Sequence, residues 1–549
     1  MRQRIDVPVP MRDGVCLSTD IRFPETPDPC PVILIRTPYN NAAFSGEEAA
    51  YVAAGYVVAK QDCRGRFDSD GSFNPLVEPE DGHDTIAWIH AQPWCNGRIG
   101  MTGNSYCAIT QLSAAWTRPP GLDAISPGVM GNDFFKGLVY HNGVFNLSLA
   151  IGWGTGVAGR TGQGNETTDW ERVFNHLPLI TMDEAAGYRL DYFREWLEHP
   201  TYDEYWAASS VERHFSDMDV PAFHIGGWYD MYAAGTLRNF CGLRSSGGGR
   251  ARGNQKVMIG PWVHGINTRV AGQIDFGEEA TVPLEMLRWR WLDRWLKDDA
   301  NGIDDEAPVR LFVMGVNRWQ NEQTWPLERG RERAWHLASR GAANSLHGDG
   351  LLTTESVQHT DTDTYLYNPA EPVPTLGGGC LRAPAGPTDH QPIERRDDVL
   401  VFTSDWLQEP LEVIGNVRSV LYVASDAVDT DVVARLCDVF PDGRSIILCD
   451  GIVRARFREG LDREVMMAPG KVYELTVDMG VTANVFLPGH RLRLEVTSSC
   501  FPRFARNLNT GEPAATGTRM QTARQTIHHS AAHPSRLILP VVPAAPSGR

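Results

Sequence analysis

Three residues that could carry out acyl transfer stand far apart in the chain, each just after a predicted strand. Ser105 lies between a short apolar stretch and a helical segment, and Asp230 and His264 each follow an apolar stretch of strand character. A serine nucleophile needs a base that takes its proton and a carboxylate that orients the base. These residue types in these places predict nucleophilic acyl-transfer chemistry.

The surroundings of Ser105 predict a nucleophile elbow, a sharp strand-to-helix turn that exposes the serine hydroxyl above a sheet. Gly103, two residues earlier, allows the helix to approach the strand closely. Cys107 replaces the second glycine of the usual GxSxG pattern with a small side chain. A helix N-cap is the alternative role of Ser105, because serine is a favoured N-cap. An acid and a base in suitable places favour the catalytic role.

Sixteen histidines compete for the role of base. His224 is the main rival, but it lies inside a predicted strand and is expected in the core. His264 lies past a strand end, where loops at the carboxyl edge of a parallel sheet form sites. The order Ser105, Asp230, His264 is also the chain order of α/β-hydrolases.

The segments around these residues alternate between strand and helix patterns. This alternation predicts an α/β fold, with a mostly parallel sheet covered by helices on both faces. The predicted strands span residues 31–36, 55–61, 99–102, 220–226 and 256–260, and the predicted helices span 78–92, 106–116 and 284–296.

Two other regions differ from this pattern. Residues 133–212 carry aromatic and helical patterns without strands, which predicts a helical cap inserted into the sheet domain. Beyond residue 332, short β-rich segments recur with turns such as Pro441-Asp442-Gly443, which predicts an all-β jelly roll. The predicted organisation is therefore a hydrolase core over 1–132 and 213–331, a cap over 133–212, and a jelly roll over 332–549.

Composition excludes several classes of protein. The chain has 549 residues and a net charge of −17, which disfavours nucleic acid as a partner. It contains no apolar segment of membrane-spanning length and no secretory signal pattern, so a cytoplasmic location without membrane association is expected. Ten cysteines form no CxxC pair, and no metal site is predicted.

The motifs taken together resemble the bacterial cocaine-esterase family, within the group that includes X-Pro dipeptidyl peptidases and α-amino acid ester hydrolases. The matching segments extend over nearly the whole chain. They include Arg36-Thr37-Pro38-Tyr39, Gln61-Asp62-Cys63-Arg64-Gly65, Gly103-Asn104-Ser105-Tyr106, Gly227-Trp228-Tyr229-Asp230, Gly260-Pro261-Trp262-Val263-His264 and Asn484-Val485-Phe486-Leu487-Pro488-Gly489-His490. The resemblance implies a hydrolase core, a cap and a jelly roll, with Ser105, Asp230 and His264 as the triad.

The resemblance also implies further site residues. The hydroxyl of Tyr39 and the backbone N–H of Tyr106 would form the oxyanion hole. Trp153, Tyr232 and Leu381 would line the acyl pocket, with Tyr232 at a position where relatives carry phenylalanine. An arginine, Arg382, follows Leu381. At the pocket mouth its guanidinium would favour a more polar or anionic acyl group, and the alternative is a solvated arginine on the surface.

The predicted function is hydrolysis of small-molecule carboxylic esters, of aryl or benzoyl type, through an acyl-enzyme. It requires no cofactor and no metal, and the resemblance suggests a homodimer. One alternative is an X-Pro dipeptidyl peptidase or α-amino acid ester hydrolase. That alternative needs a carboxylate facing Ser105, for which Asp133, Asp191 and Glu195 are candidates. An alternative of another class is a catalytically inactive glycan-binding protein.

Overall fold

The computed structural model describes residues 2–43, 45–76, 78–164, 166–355, 361–381 and 384–543. Its first part contains the strands β1 Arg2–Pro10, β2 Cys16–Phe23, β3 Cys30–Thr37, β4 Val57–Asp62, β5 Cys95–Asn104, β6 Leu122–Gly128, β7 Tyr140–His141, β8 Val144–Phe145, β9 Ala222–Gly227, β10 Gln255–Gly260, β11 Val270–Ala271, β12 Ile274–Asp275, β13 Val309–Val313 and β14 Arg318–Glu322.

Ten of these strands form one sheet in the order β1-β2-β4-β3-β5-β6-β9-β10-β13-β14. The seven central strands, from β4 to β13, pair in parallel. Antiparallel pairs add β2 and β1 at one edge and β14 at the other. The mostly parallel sheet expected from the sequence is therefore present, extended by antiparallel edge strands that the sequence patterns did not indicate. β7–β8 and β11–β12 are two separate hairpins.

The helices of the chain are α1 Gly46–Ala53, α2 Pro79–His90, α3 Tyr106–Trp116, α4 Leu147–Gly156, α5 Trp170–Asn175, α6 Met182–Ala185, α7 Asp191–Glu198, α8 Glu204–Ala207, α9 Ala233–Ser246, α10 Gly249–Gly253, α11 Leu284–Leu296 and α12 Gln391–Glu394. None of those in the described ranges combines the length and the apolarity that a membrane crossing requires.

Helices cover both faces of the sheet. Side chains along a strand point alternately to opposite sides, so each strand contributes to the packing on both faces. On β3, Val32 and Leu34 pack into the cluster that contains α2 and α3. Ile33, between them, packs into the cluster that contains α1 and α11. The apolar strands of the sequence are thus buried on both sides, as parallel strands usually are.

The region between β6 and β9 consists mainly of the short helices α4 to α8 and the hairpin β7–β8. Its aromatic residues, among them Phe135, Tyr140, Trp196 and Trp206, are buried in the same cluster as α2 and α3. This region was expected to lack strands. The two-residue strands of the hairpin are too short to leave a periodic pattern in the sequence.

The C-terminal region is mostly sheet. Its strands are β15 Arg331–Ala338, β16 Leu351–Thr353, β17 Thr362–Tyr367, β18 Leu400–Thr403, β19 Leu411–Ser425, β20 Asp431–Val439, β21 Ser445–Arg454, β22 Tyr473–Phe486, β23 Arg491–Thr497, β24 Ala523–His528 and β25 Arg536–Val541. They form one eleven-stranded sheet in which every pair is antiparallel except β16–β18. Backbone hydrogen bonds in both directions between Met314, after β13, and β22 join this sheet to the first one.

Candidate active site

Ser105 occupies a strained turn between β5 and α3. Its φ of 58° and ψ of −126° lie in a region that residues with a side chain rarely adopt. Strain of this kind persists only where the surroundings enforce it, and it is concentrated at functional sites. The Ser105 N–H donates to the Gly128 carbonyl of β6 at 2.9 Å, and the Ser105 carbonyl accepts from the Ala108 N–H of α3 at 2.8 Å. The strand β6 and the helix α3 therefore both hold the turn.

Gly103 is required for this turn. Its φ is 134°, and a Cβ at this position would lie 2.6 Å from the Cβ of Cys107. Cys107 thus fills the space that the helix leaves beside the strand. The sequence prediction of an elbow with one glycine replaced by cysteine agrees with this geometry.

Asp230 and His264 are brought together because they follow adjacent parallel strands. β9 and β10 are in register from Ala222 to Gly227, and both loops leave the same edge of the sheet. The N–H groups of Trp228 and Tyr229 donate to the carbonyls of Gly260 and Trp262, at 2.9 and 3.0 Å, and tie the two loops together. A side chain at Gly227 would collide with the Trp262 carbonyl, so glycine permits this close approach.

The Asp230 carboxylate makes a short hydrogen bond to His264. The distance between Asp230 Oδ2 and His264 Nδ1 is 2.6 Å, and Asp230 Oδ1 accepts from the Tyr232 N–H at 2.7 Å. Asp230 is buried, whereas the His264 side chain is 25% exposed. A buried carboxylate on Nδ1 fixes the imidazole so that its other nitrogen is available as a base.

Tyr232 connects this pair to Ser105. Its ring packs edge to face against the His264 ring, with centroids 5.7 Å apart. The same side chain lines a pocket into which Ser105 opens. The structure therefore places the predicted nucleophile, acid and base around one aromatic side chain.

The Tyr39 hydroxyl lies at the same pocket, on the loop after β3. The residue is 44% exposed, but its hydroxyl end is surrounded by protein, and this desolvation raises the pKa of Tyr39 to about 12. Hydrogen bonds to Trp153 and Ser105 oppose part of that rise. The hydroxyl therefore stays protonated at neutral pH and can donate. Tyr106 begins α3, so its N–H is one of the four that find no acceptor within the helix.

Trp153 has a contact that the sequence did not reveal. Its indole Nε1–H donates to the Tyr39 oxygen at 3.1 Å, and its ring stacks on Tyr106 with centroids 5.8 Å apart. The two oxyanion-hole candidates are therefore joined by one tryptophan on α4. Trp153 and Tyr39 are 114 positions apart in the sequence, which explains why no local pattern indicated this bond.

The pocket at Ser105 is apolar and small. It encloses about 30 Å³, which is room for about two water molecules. Leu381, from the C-terminal region, reaches it as expected, whereas Arg382 lies outside the described residues. The lining residues are Tyr39, Ser105, Tyr106, Met130, Phe134, Leu138, Leu149, Trp153, Tyr232 and Leu381.

The three candidate carboxylates for binding a substrate ammonium lie elsewhere. Asp133 is buried and accepts from the N–H groups of Phe135 and Lys136 and from a tyrosine hydroxyl. The Asp191 side chain is exposed, and Glu195 accepts from the Tyr205 hydroxyl. Among the described residues that line the pocket, none is a carboxylate.

One group of side chains has the composition of a metal site. His390, Cys437 and Glu495 are buried together in the C-terminal sheet region. Both ring nitrogens of His390 are engaged, Nδ1 with Glu495 at 3.0 Å and Nε2 with the Leu376 carbonyl at 2.6 Å. Burial lowers the pKa of His390, but the Glu495 carboxylate outweighs it and raises the pKa above its usual value. Both nitrogens face acceptors, so neither offers a free lone pair to a metal, and the three side chains form a buried hydrogen-bonded cluster.

Comparison with known proteins gives the family. Residues 13–266 match the model of the X-Pro dipeptidyl-peptidase S15 family, and residues 301–538 match the model of the C-terminal non-catalytic domain of X-Pro dipeptidyl-peptidases. The cocaine esterase of Rhodococcus sp. (strain MB1 Bresler) is 38% identical, over 98% of each chain. The chain belongs to the cocaine esterase family. It is a serine hydrolase, and the non-catalytic alternative is therefore wrong.

Two solved structures share the fold of this cocaine esterase family member. An aminopeptidase from a marine sediment archaeon, Thaumarchaeota archaeon, superposes with a TM-score of 0.87 at 24% identity, over 99% of this chain and 96% of the other. An α-amino acid ester hydrolase superposes with a TM-score of 0.85 at 24% identity, over 98% and 96%. At this identity the likeness concerns the fold alone.

His264 and His224 should differ in their effect on the pH profile. A histidine base accepts the serine proton only when neutral, so kcat/KM should rise with pH through a single ionisation. His264→Ala should remove that rise. His224 is buried against Gln255, and burial lowers its pKa to about 4, so His224→Ala should keep the rise. Loss of the pH dependence in the His224 variant alone would reassign the base.

Proposed function

We propose that this enzyme hydrolyses carboxylic esters through an acyl-enzyme formed on Ser105. The observation that carries the proposal is the strained Ser105 elbow, which opens into the apolar pocket whose wall, Tyr232, packs on the Asp230–His264 pair. The 38% identity to a cocaine esterase over the whole chain supports an ester as the substrate.

In the proposed mechanism, His264 removes the Ser105 proton while the hydroxyl oxygen attacks the acyl carbonyl. Asp230 holds the ring and stabilises the imidazolium that forms. The Tyr39 hydroxyl and the Tyr106 N–H donate to the oxyanion of the tetrahedral intermediate. His264 then gives its proton to the departing alcohol. A water molecule, activated by the same histidine, releases the acid.

Trp153 has a positioning role in this mechanism. Its N–H donates to the Tyr39 oxygen at 3.1 Å, which leaves the hydrogen of the Tyr39 hydroxyl available for donation to the oxyanion. A hydroxyl that accepts one hydrogen bond also donates a second one more strongly. Trp153 therefore prepares the oxyanion donor before substrate arrives.

A double-mutant cycle tests this role. Trp153→Phe removes the N–H and keeps an aromatic ring, and we expect kcat to fall by about twofold to tenfold, the effect of one neutral hydrogen bond. In a Tyr39→Phe background the same substitution should have much less effect, because the oxygen that receives the bond is gone. Packing losses would appear equally in both backgrounds. Equal effects of Trp153→Phe in the two backgrounds would contradict the positioning role.

The pocket at Ser105 supports esters whose acyl group carries no ammonium over peptides or aminoacyl esters. An N-terminal ammonium buried beside Ser105 would need a carboxylate partner, because an unpaired buried charge is costly. Two of the three candidate carboxylates, Asp133 and Glu195, accept hydrogen bonds from other residues. The third, Asp191, is exposed. Aromatic walls formed by Trp153 and Tyr232 favour flat acyl groups. Flexible leucine and methionine side chains line the remainder and could move to admit a ring.

A substrate panel checks this preference. We expect kcat/KM to be higher for 4-nitrophenyl benzoate than for a 4-nitrophenyl ester of alanine with a free amino group, and Ala-Pro-4-nitroanilide to react slowest. Replacing both Trp153 and Tyr232 by alanine should cost benzoyl esters more than acetyl esters, because ring contacts are lost. A preference for the peptide substrate would replace the ester proposal by a dipeptidyl peptidase.

The finer organisation of the chain belongs to the same proposal. We assign residues 133–212 as a cap over the site, because α4 brings Trp153 to the pocket, and 332–549 as a jelly roll that contributes Leu381. The hydrolase core then comprises 1–132 and 213–331. β14 ends at Glu322 in the first sheet and β15 begins at Arg331 in the second, which supports the last boundary. The homodimer and the cytoplasmic location stay predictions.

A further inference from the structure

A second cavity lies on the other side of the active-site wall. Tyr232, which lines the acyl pocket, also lines this cavity, together with the neighbouring Met231. It measures about 120 Å³, larger than the pocket at Ser105. Three parts of the chain enclose it: the region before α4 with Lys136 and His141, helix α9 with Arg238, and the C-terminal region with Asp478.

The polar groups of this cavity are mostly hydrogen-bond donors. Arg238 makes no hydrogen bond to any residue in the described ranges, and its nearest counter-ion, Asp478, is 3.9 Å away. Lys136 pairs with Glu212 at 3.0 Å, which uses one of its three N–H groups. Asp478 is the only carboxylate among the described lining residues, and it also accepts from the Gly480 N–H.

His141 adds an unused polar atom. Its Nε2 is buried and has no hydrogen-bond partner among the described residues. Burial, followed by the charge of Arg503, lowers the pKa of His141 well below its usual value, so the ring is neutral at physiological pH. A neutral imidazole can donate from Nε2. A buried polar atom without a partner is uncommon in native proteins and calls for an explanation, such as a ligand.

We propose that this cavity is a second binding site, for a carboxylate, in which Arg238 is the principal ligand and Lys136 and His141 are additional donors. Arginine offers a planar fork that matches a carboxylate with two parallel hydrogen bonds. The choice of a carboxylate over another anion rests on the proposed function, because ester hydrolysis releases a carboxylic acid on the other side of Tyr232.

Two sources could supply this carboxylate. One is the free acid that the enzyme releases, and the other is the distal carboxylate of an acyl chain derived from a dicarboxylic acid. In either case the ligand contacts Tyr232, which packs on His264, so binding in this cavity should affect the active site. Arg238 lies outside the catalytic machinery and is 45% exposed, so its replacement should leave the fold intact.

The first experiment measures binding without turnover. Calorimetric titration with benzoate should show binding that benzamide, its uncharged analogue, does not share. Arg238→Gln should weaken benzoate binding by about tenfold to a hundredfold, the range for a hydrogen bond to a charged group. The control Arg252→Gln removes an exposed arginine of α10, outside the cavity, and should leave binding unchanged.

The second experiment measures kcat/KM for the 4-nitrophenyl esters of succinic acid, which carries a distal carboxylate, and of butyric acid, which does not. A fall in the kcat/KM of Arg238→Gln that is confined to the succinyl ester identifies a substrate carboxylate as the ligand. A loss of benzoate binding alone identifies the free acid as the ligand. Unchanged values in both experiments, or equal losses in the Arg252 control, would overturn the proposal. Benzoate binding can be titrated even if the protein has no esterase activity, so a failure of the proposed function can be distinguished from a failure of this binding site.

Discussion

Ser105→Ala is expected to reduce kcat by about 10⁶-fold, as the removal of a serine nucleophile does in other serine hydrolases. The substitution deletes one oxygen atom at a residue that lies in a strained turn and lines the pocket. It should therefore abolish the reaction without disturbing the packing of the core. The variant should keep its circular dichroism spectrum and elute as the wild type does. Activity would be measured on a chromogenic ester over a long time course.

The matched control for this variant is Ser113→Ala. Ser113 lies on the same helix as the elbow, but it is buried and its hydroxyl donates to the Thr110 carbonyl. Its loss should change stability slightly and kcat little. If Ser105→Ala retained a few per cent of wild-type activity while folded, or if Ser113→Ala were equally inactive, the nucleophile would have to be sought elsewhere.

Tyr39→Phe is expected to lower kcat by about 10²- to 10³-fold, or about 3–4 kcal/mol of transition-state stabilisation. Negative charge develops on the substrate oxygen only as the tetrahedral intermediate forms, so a donor aimed there acts mainly on the transition state. KM should change little, provided that chemistry is slower than substrate release. The partly exposed ring stays, and Trp153 can donate to water in place of the lost oxygen.

The control for the tyrosine variant is Tyr422→Phe. That hydroxyl donates to Glu474 within the C-terminal sheet, and Tyr422 does not line the pocket at Ser105. It should leave kcat unchanged. Wild-type kcat in a folded Tyr39→Phe enzyme would remove Tyr39 from the oxyanion hole, and a rise in KM without a fall in kcat would assign it to ground-state binding.

The core of the fold could be predicted because its information is local. The strands β3 and β4 are apolar enough to be buried along almost their whole length, and α3 covers Tyr106–Trp116 as its composition indicates. The positions of Asp230 and His264 could also be predicted, since residues just past parallel strands meet at one sheet edge. The sequence contained both the order and the spacing of these residues.

Other elements could not be predicted, for physical reasons. β1 contains Pro8 and Pro10 and is largely exposed, which a strand tolerates only at a sheet edge. β19 has 15 residues, but a bulge between Asn416 and Arg418 interrupts its alternating pattern, so its full length could not be predicted. An edge and a bulge are defined by pairing partners, which a single segment does not reveal.

The same limit applies to the site. The bond from Trp153 to Tyr39 and the cavity behind Tyr232 each depend on segments from different parts of the fold. Tyr39 itself was found only through resemblance to a family, because a tyrosine after a strand is also a common packing residue. Local patterns indicate which residues can do chemistry, and tertiary structure decides which of them meet.

The central claim is that Ser105 is the nucleophile, activated by His264 and Asp230. The most direct measurement is reaction with a fluorophosphonate, followed by mass spectrometry of the intact chain and of its peptides. We predict one adduct per chain, located on Ser105, no adduct in Ser105→Ala, and much slower labelling in His264→Ala. An adduct on another residue, or undiminished labelling of Ser105→Ala, would contradict the account.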